Sequence, residues 1–348
     1  MRTSVGIGVI GYGYWGPNLV RNFSEGPESH VVAVSDLNPA RLSAVKTRYP
    51  SVVTTTEYRD LLADPSIEAV AISTPVSTHF RLAMEALQAG KHVLVEKPLA
   101  TTAAEAAALI EQAEQSERVL MVDHTFVYTG AVQKMKELID GGRLGRLYYY
   151  DSVRVNLGLF QHDVDVLWDL AVHDLAIMDY LLGKQPYAVS ATGIAHVPGK
   201  PINIGYLTCF FEDNLLAHIN ANWLAPVKIR RTLVGGDTTM IVYDDLEPSE
   251  KVKVYDRGIA VSNGEAGPGG FYDLMVSYRT GDMWAPKLPM AEALGVETRH
   301  FVECIRNGRQ PVTDGRAGLR VVRILEAAAQ SLAEGGRAVE LERERVLA

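Results

Sequence analysis

The chain has 348 residues, of which 47% are hydrophobic, so it is long enough for two domains and too apolar to be disordered. A net charge of −8 argues against a nucleic-acid-binding or anionic-membrane surface and suits a soluble enzyme. The two cysteines, Cys209 and Cys304, lie far apart and no leader or membrane span begins the chain, so we expect a cytoplasmic protein without disulfide bonds.

The predicted elements begin with a short apolar strand that leads into a glycine-rich turn. Val5–Ile10 forms the strand, Gly11-x-Gly13-x-x-Gly16 forms the turn, and an amphipathic helix follows. Gly11 permits a sharp turn, Gly13 lets the backbone approach a pyrophosphate, and Gly16 lets the helix pack against the strand. The N-terminus of this helix offers N–H groups to phosphates. Glycine turns of this kind also occur for purely structural reasons, so the pattern alone leaves both interpretations open.

Strands and helices alternate through the rest of the first third. Strands are predicted at His30–Asp36, Val52–Thr54, Ala69–Ser73, His92–Glu96 and Val119–Val122, and helices at Pro39–Arg48, Tyr58–Ala63, around Phe80–Gly90 and at Ala103–Gln115. Repeated β-α-β units with right-handed crossovers build a doubly wound parallel sheet. We therefore assign residues 1–123 to an N-terminal dinucleotide-binding (Rossmann) domain.

The alternation stops near Asp123, and a different architecture follows. Helices are predicted at Ala131–Asp140, Asp165–Leu182, Ala291–Arg306 and Arg316–Glu334, and strands at Leu147–Asn156, Ala188–His196, Ile202–Phe211, Leu215–Trp223, Ile229–Val234, Met240–Tyr243 and Lys251–Tyr255. Successive strands without helices between them favour a large, mainly antiparallel open sheet. We assign residues 124–348 to an α+β domain, whose C-terminal helices could pack back on the first domain.

An acidic residue ends the second predicted strand. Asp36 follows Gly11 by 25 residues, and a carboxylate there can accept hydrogen bonds from the adenosine ribose and repel a 2′-phosphate. Arg41 lies close enough in sequence to accommodate such a phosphate. NAD is therefore favoured and NADP stays possible, while an ordinary strand-end acid is the structural alternative.

Two polar segments interrupt apolar strands at their predicted carboxyl ends. Thr74-Pro75 follows one strand, and Glu96-Lys97-Pro98 ends another. Ligands bind at this edge of such sheets, so the Lys97 ammonium could donate to a substrate hydroxyl or carbonyl and to the cofactor. The alternative is a solvated strand-end ion pair.

A predicted helix carries an acid and a histidine four residues apart. Asp169 and His173 share one helical face, so their side chains can meet. A histidine suits the transfer of a hydroxyl proton near neutral pH, and a carboxylate would orient it. The same pair could bind a metal, but no third ligand stands at a recognisable spacing, so we expect no metal site. A purely structural histidine is the other alternative.

Four motifs and their order in the chain resemble the glucose–fructose oxidoreductase / inositol dehydrogenase / MocA family of NAD(P)-dependent oxidoreductases. The motifs are Gly11-x-Gly13-x-x-Gly16, Thr74-Pro75 with His79, Glu96-Lys97-Pro98-Leu99-Ala100 and Asp169-x-x-x-His173. The resemblance covers essentially the whole chain. It implies a Rossmann domain joined to an α/β domain that binds substrate and whose open sheet mediates homodimers or homotetramers.

The resemblance also implies roles for particular residues. Lys97 would touch nicotinamide and substrate, His173 would be the acid/base, and Asp169 would bind substrate or assist. The expected cofactor-binding set is Gly11, Gly13, Tyr14, Trp15, Gly16, Asp36, Arg41, Thr74, Pro75, His79, Glu96, Lys97 and Pro98. The segments 14–23 and 167–170 are similar to members from sugar-nucleotide and deoxysugar pathways, which act at a ring hydroxyl, commonly C3 of a hexose.

Softer candidates surround this core. Basic or polar side chains at strand-like positions could face the cleft and suit an anionic diphosphate, and two residues after the domain switch could line the pocket. These candidates are Arg154, Asn156, Lys228 and Arg230, with Tyr128 and His124 as the pair after the switch. Ordinary exposed charges on a sheet are the alternative for the basic group.

Three other functions stay open from the sequence. The first is an inositol or free-sugar dehydrogenase. The second is a glycoside hydrolase that uses tightly held NAD for redox-assisted cleavage, against which the absence of an export signal argues. The third is a non-catalytic NAD-binding regulator, which would have no need for Lys97, Asp169 and His173 together.

Overall fold

A computed structural model describes residues 4–158, 164–261 and 276–342. Contacts divide the chain into a first unit, Met1–Thr129 with Met290–Glu326, and a second unit, Gly130–Pro289 with Ala327–Ala348. The first division thus falls a few residues beyond the expected boundary at residue 123, and residues 290–326 group with the first unit. Each unit is described by itself below.

The helices and strands are numbered in chain order. The helices are α1 (Gly16–Glu25), α2 (Pro39–Arg48), α3 (Tyr58–Ala63), α4 (His79–Gln88), α5 (Ala103–Gln115), α6 (Gly130–Asp140), α7 (Val172–Leu182), α8 (Ala293–Asn307) and α9 (Gly315–Ala333). The strands are β1 (Val5–Ile10), β2 (Ser29–Ser35), β3 (Val53–Thr55), β4 (Ala69–Ile72), β5 (His92–Glu96), β6 (Leu120–Asp123), β7 (Leu147–Leu157), β8 (Ala188–Ile194), β9 (Ile204–Phe210), β10 (Leu216–Asn222), β11 (Leu224–Gly236), β12 (Met240–Asp244), β13 (Val252–Tyr255), β14 (Gly258–Val261), β15 (Val276–Arg279), β16 (Met283–Trp284) and β17 (Val339–Glu340).

The first unit is built on a parallel sheet in the order β3-β2-β1-β4-β5-β6. All of its strand pairs are parallel. Every residue of β1 and β4 is buried, as expected when helices cover both faces of a parallel sheet. The predicted doubly wound Rossmann fold is confirmed.

Local sequence signals start the helices of this unit. Asn38 caps α2 by accepting the Ala40 N–H at 2.9 Å. Thr102 caps α5 by accepting the Glu105 N–H at 3.1 Å, while the Glu105 carboxylate reaches back to the N–H of Thr101. These caps fix where the helices enter, and the apolar faces of α4 and α5 then pack on β4, β5 and β6 around Ile72, Leu87, Val95 and Leu109.

The carboxyl ends of the parallel strands meet at one edge of the sheet. Glu96 at the end of β5 pairs in register with Asp123 at the end of β6. The β1 end leads into the glycine turn, and Asp36 follows the end of β2. This edge therefore gathers the polar side chains that interrupt the apolar strands.

The second unit holds a larger sheet, ordered β16-β13-β12-β11-β7-β10-β9-β8-β17. β7 and β10 run parallel, and the other neighbouring pairs are antiparallel. The predicted mainly antiparallel sheet is confirmed. A separate two-stranded sheet, β14-β15, is not among the predicted elements.

Alternation along β7 separates the two faces of this sheet. Tyr150, Ser152 and Arg154 are buried, and all three bond to Asp174 in α7. Tyr149 faces the other side and is 37% exposed. One face is thus covered by α7, and the other is open where Tyr149 lies.

Two elements differ from the prediction. The helix expected at Asp165–Leu182 is a π turn at 167–171 followed by α7, because the Val172 N–H donates to the Leu167 carbonyl, five residues back. The strand expected at Ile229–Val234 is the longer β11. A register shift between Leu224 and Ile229 takes Pro226, which has no N–H, out of the ladder.

Candidate functional site

The glycine turn after β1 has a shape that only small residues allow. Gly11 has φ of +96°, and a Cβ there would lie 2.5 Å from the Ser73 carbonyl oxygen. A Cβ on Gly16 would lie 2.3 Å from the Gly11 carbonyl oxygen, so this contact ties α1 to the end of β1. A Cβ on Gly13 would meet nothing nearer than an Arg41 nitrogen at 3.8 Å. The backbone at Gly13 therefore stays open to a phosphate group.

The start of α1 completes this cradle. Pro17 occupies its first turn, and within the described residues no side chain caps the helix start. Uncapped N–H groups and the helix dipole favour an anion at this position. The residues present thus fit the pyrophosphate of a dinucleotide.

Asp36 lies beside the turn and is almost fully buried, with 8% exposed. Its Oδ2 accepts the Tyr12 N–H at 2.7 Å, and its Oδ1 accepts the Asn38 N–H at 2.8 Å. Arg41 approaches Oδ2 at 3.3 Å and is half exposed. The carboxylate is fixed by the backbone and keeps lone pairs for a ribose diol, while Arg41 supplies a cation next to it. Tyr14, within the turn, is almost fully exposed.

A buried histidine links the ends of β4 and β5. His79 Nδ1 lies 2.8 Å from the Pro98 carbonyl oxygen, and Nε2 lies 2.9 Å from the Thr74 carbonyl oxygen. Burial is the main cause that lowers the pKa of His79. His79 thus joins the loop of Thr74-Pro75 to the loop that carries Lys97.

Three side chains that were not proposed for catalysis from the sequence lie around the end of β6: Asp123, Glu297 and His124. Asp123 accepts hydrogen bonds from Trp15 Nε1 at 2.6 Å and Thr125 Oγ1 at 2.5 Å. Glu297, on α8, faces Asp123. Burial, followed by the charge of Lys97, lowers the pKa of His124 to about 3, so His124 is neutral.

Tyr128 also lies in the first unit, and sequence features mark both Asp123 and Glu297. Tyr128 is buried and its hydroxyl lies 3.0 Å from Thr313 Oγ1. Asp123 carries the same strand-end signal as Asp36 and could have been found from it. Glu297 occupies an apolar position of α8, between buried Leu294 and Phe301, and that mismatch is its signal.

The second unit positions Asp169 and His173 on the π turn and α7. Asp165 Oδ1 accepts the N–H groups of Leu167 and Trp168 at 2.8 and 3.1 Å, which caps the π turn. Asp169 Oδ2 accepts the indole N–H of buried Trp223 at 3.1 Å. The Asp169 carboxylate, which we predicted to lie beside His173, is therefore fixed by a hydrogen bond from Trp223.

Asp174, which follows His173 in sequence, is hydrogen-bonded to side chains of β7. Its carboxylate receives Arg154 Nε at 2.6 Å and Ser152 Oγ at 2.7 Å, and its carbonyl accepts the Tyr150 hydroxyl at 3.0 Å. Arg154 was expected to face the cleft, but it is buried in this ion pair. Alternation along β7 explains this, because Arg154 shares the helix-covered face with Ser152.

The other basic candidates lie on β11 or near it. Arg230 pairs with Asp245 at 3.2 Å and lies opposite Arg154 in register. Lys228 is exposed and Asn156 is half-buried. Arg230 is thus paired with Asp245 of its own chain, and Lys228 lies at the surface.

The described ranges contain neither a metal-binding cluster nor a membrane-spanning helix. There, no cluster of three or more His, Cys, Asp or Glu side chains could hold a metal ion. None of the described helices is long and apolar enough to cross a membrane.

Comparisons with known proteins match both units. Residues 5–124 match the oxidoreductase family with an NAD-binding Rossmann fold, GFO_IDH_MocA, and residues 132–242 match the GFO/IDH/MocA C-terminal domain. UDP-N-acetylglucosamine 3-dehydrogenase of Acidithiobacillus ferrooxidans is 30% identical over 331 residues, which cover 92% of this chain and 94% of that protein.

One further relative and one solved structure show how wide the similarity is. The scyllo-inositol 2-dehydrogenase (NAD(+)) of Bacillus subtilis is 26% identical over 322 residues, 88% of this chain and 86% of that protein. A solved structure of the Acidithiobacillus enzyme, GnnA, superposes with a TM-score of 0.80 at 28% identity, covering 95% of this chain and 98% of the other. The chain is similar to both along nearly its whole length.

Proposed function

The chain belongs to the GFO/IDH/MocA family of NAD-dependent oxidoreductases, and we propose that its substrate is a sugar nucleotide oxidised or reduced at a ring carbon, with C3 of the hexose favoured. The observation that carries the substrate proposal is the full-length similarity to a UDP-N-acetylglucosamine 3-dehydrogenase. Residues 132–242 also match the family's C-terminal domain, to which we assign substrate binding.

The proposed chemistry uses three ionisable side chains. NAD bound to this protein would supply the hydride acceptor, C4 of its nicotinamide. In the oxidative direction His173 takes the proton of the substrate hydroxyl, and the Lys97 ammonium stabilises the developing alkoxide. Asp169, fixed by Trp223, binds substrate or orients the histidine. In the reductive direction His173 returns the proton to the alkoxide.

We propose the remaining roles from where the structure places each side chain. Gly11, Gly13, Gly16 and Trp15 form the turn that receives the pyrophosphate, and Asp36 binds the adenosine ribose. A buried carboxylate there disfavours a 2′-phosphate, so NAD is preferred over NADP. Lys228 is proposed as a contact for the anionic part of the substrate, because its ammonium is exposed.

An inositol dehydrogenase is the second candidate, because the Bacillus subtilis relative acts on scyllo-inositol and also aligns along most of the chain. A cyclitol offers the same secondary carbinol and lacks the diphosphate. The two candidates therefore share the hydride transfer and differ in the need for a cation such as Lys228.

A dehydrogenase screen separates these functions. The purified protein is assayed with NAD and with NADP against nucleoside-diphosphate hexoses, free sugars and inositols. We expect NAD reduction with a kcat/KM for a nucleoside-diphosphate hexose at least about tenfold above that for its parent sugar. A preference for inositols would contradict the substrate proposal, and substrate cleavage without net NADH would indicate the redox-assisted hydrolase. Tight NAD binding with no turnover would indicate a regulator.

A further inference from the structure

Two carboxyl groups meet in the interior of the first unit. Glu297 is 0% exposed and Asp123 is 2% exposed. Among the described residues, the polar side chains that face the Glu297 carboxyl group are those of Asp123 and Thr125. Two ionised carboxylates in contact repel strongly where water is excluded, so one of the pair holds a proton.

The donors around the pair decide which carboxyl is neutral. Trp15 Nε1 and Thr125 Oγ1 both donate to Asp123, at 2.6 and 2.5 Å. The negative charge therefore rests on Asp123, and the proton rests on Glu297, whose O–H donates to Asp123. Burial, followed by the charge of Asp123, raises the pKa of Glu297 well above its usual range. Burial also raises the pKa of Asp123, and its hydrogen bonds act in the opposite direction.

The charge on Asp123 lies between two functional segments. Trp15 belongs to the glycine turn, and its indole is bound to the end of β6. Lys97 acts on Asp123 electrostatically and lowers its pKa, as expected for a nearby cation. In the part of the chain that the structure describes, Glu96 and Tyr128 are the further titratable groups that interact with Glu297.

We propose that Asp123 and Glu297 form a buried acid pair with one proton, held on Glu297, and that its single negative charge positions Trp15 of the glycine turn and Lys97. The positioning part rests on the proposed dehydrogenase function. Glu297 and Asp123 are positioning residues, since neither is placed against substrate.

The proton is tested without any turnover. At about pH 6, above the ordinary pKa of a glutamate, the infrared spectrum of the wild-type protein should contain the carbonyl stretch of a protonated carboxyl group, and Glu297→Gln should lose it. Glu303→Gln, an exposed change on the same helix, should keep it. A wild-type spectrum without this band, or a band that survives in Glu297→Gln, would overturn the shared proton.

Unfolding against pH gives a second measurement of the same proton. A folded-state pKa raised above the ordinary 4.5 gives stability that is complete below pH 4.5 and is lost as pH rises toward the folded value. Above about pH 5 the unfolding constant of the wild type should therefore rise up to about tenfold per pH unit relative to Glu297→Gln. Parallel curves would contradict the proposal.

The positioning role is tested by a rescue series. Glu297→Leu should weaken NADH binding and lower kcat by at least about tenfold, and Glu297→Gln, which restores a neutral donor, should recover both. Asp123→Asn keeps an acceptor for Trp15 but removes the charge, so kcat should fall while NADH affinity changes less. Equal behaviour of all three variants and the wild type would overturn this role. Should no sugar or cyclitol be oxidised, the infrared, unfolding and NADH-binding results still decide the inference, which separates its failure from that of the proposed function.

Discussion

Asp174 illustrates how a side chain outside the chemistry sets the geometry of its neighbour. Arg154, Ser152 and Tyr150 hold its carboxylate and carbonyl from β7. Because the pair with Arg154 is fully buried, loss of either partner would leave an uncompensated charge in the interior. The first turn of α7 is therefore fixed to the sheet, and His173 lies in that turn.

Removal of the proposed catalytic groups should slow the reaction without unfolding the protein. Lys97→Ala and His173→Ala should each lower kcat by roughly 10²–10⁴-fold, the range for losing proton transfer or alkoxide stabilisation. The measurement is steady-state kinetics on the substrate found by screening, with NADH affinity measured separately by fluorescence. Lys184→Ala and His30→Ala, both exposed, are matched controls that should keep wild-type rates. Wild-type turnover by both site variants would refute the assignment.

The glycine turn and the parallel strands are the elements that the sequence predicted best. Their signals are local, because an apolar run buried on both faces and a turn that excludes Cβ atoms need no distant partner. The π turn at 167–171 gave no such signal. α7 is buried on nearly every side, so its apolar residues show no periodicity that could reveal an extra residue in the turn before it.

Long-range pairings account for the rest of the site that was missed. The bond from Trp15 to Asp123 joins residues 108 positions apart, and the Asp169–Trp223 bond spans 54. Strand and helix patterns locate each partner on an element but do not register one element against another. For this reason the sequence predicted the strand that carries Arg154 but not the face of the sheet on which its side chain lies.

The glycine turn yields a prediction in which stability and cofactor binding separate. Gly16→Ala brings a Cβ within 2.3 Å of the Gly11 carbonyl oxygen, so the variant should lose roughly 1–3 kcal/mol of unfolding free energy. Gly13→Ala meets no atom nearer than 3.8 Å and should fold normally. Its methyl group would occupy the space of a phosphate, so NAD should bind at least about tenfold more weakly. Thermal unfolding and NADH titration of both variants test this, and unchanged NAD affinity in Gly13→Ala would argue against the phosphate cradle.

Among the described residues, one face of the second sheet carries exposed apolar side chains. Tyr149 on β7 is paired in register with Leu216 on β10, and Tyr206 on β9 lies on the same face. Their exposures are 37%, 43% and 43%. Exposed apolar side chains on a sheet face favour an interaction site, and α7 covers the opposite face of the sheet. We therefore propose that this face joins copies of the chain into a homodimer or homotetramer.

A charge placed on this face should dissociate the assembly. Leu216→Glu would bury an unpaired carboxylate in every copy of the interface, at a cost of at least about 2 kcal/mol, or roughly 30-fold in the dissociation constant. Sedimentation velocity over a range of concentrations should show the wild type as an oligomer and Leu216→Glu shifted toward monomer. Val53→Glu, on edge strand β3 of the first sheet, adds the same charge at an exposed apolar position and should leave the assembly intact. A wild type that sediments as a monomer at every concentration would show that the chain forms no such interface. A Leu216→Glu variant as large as the wild type would place the interface on another face, because an interface on this face cannot tolerate the charge.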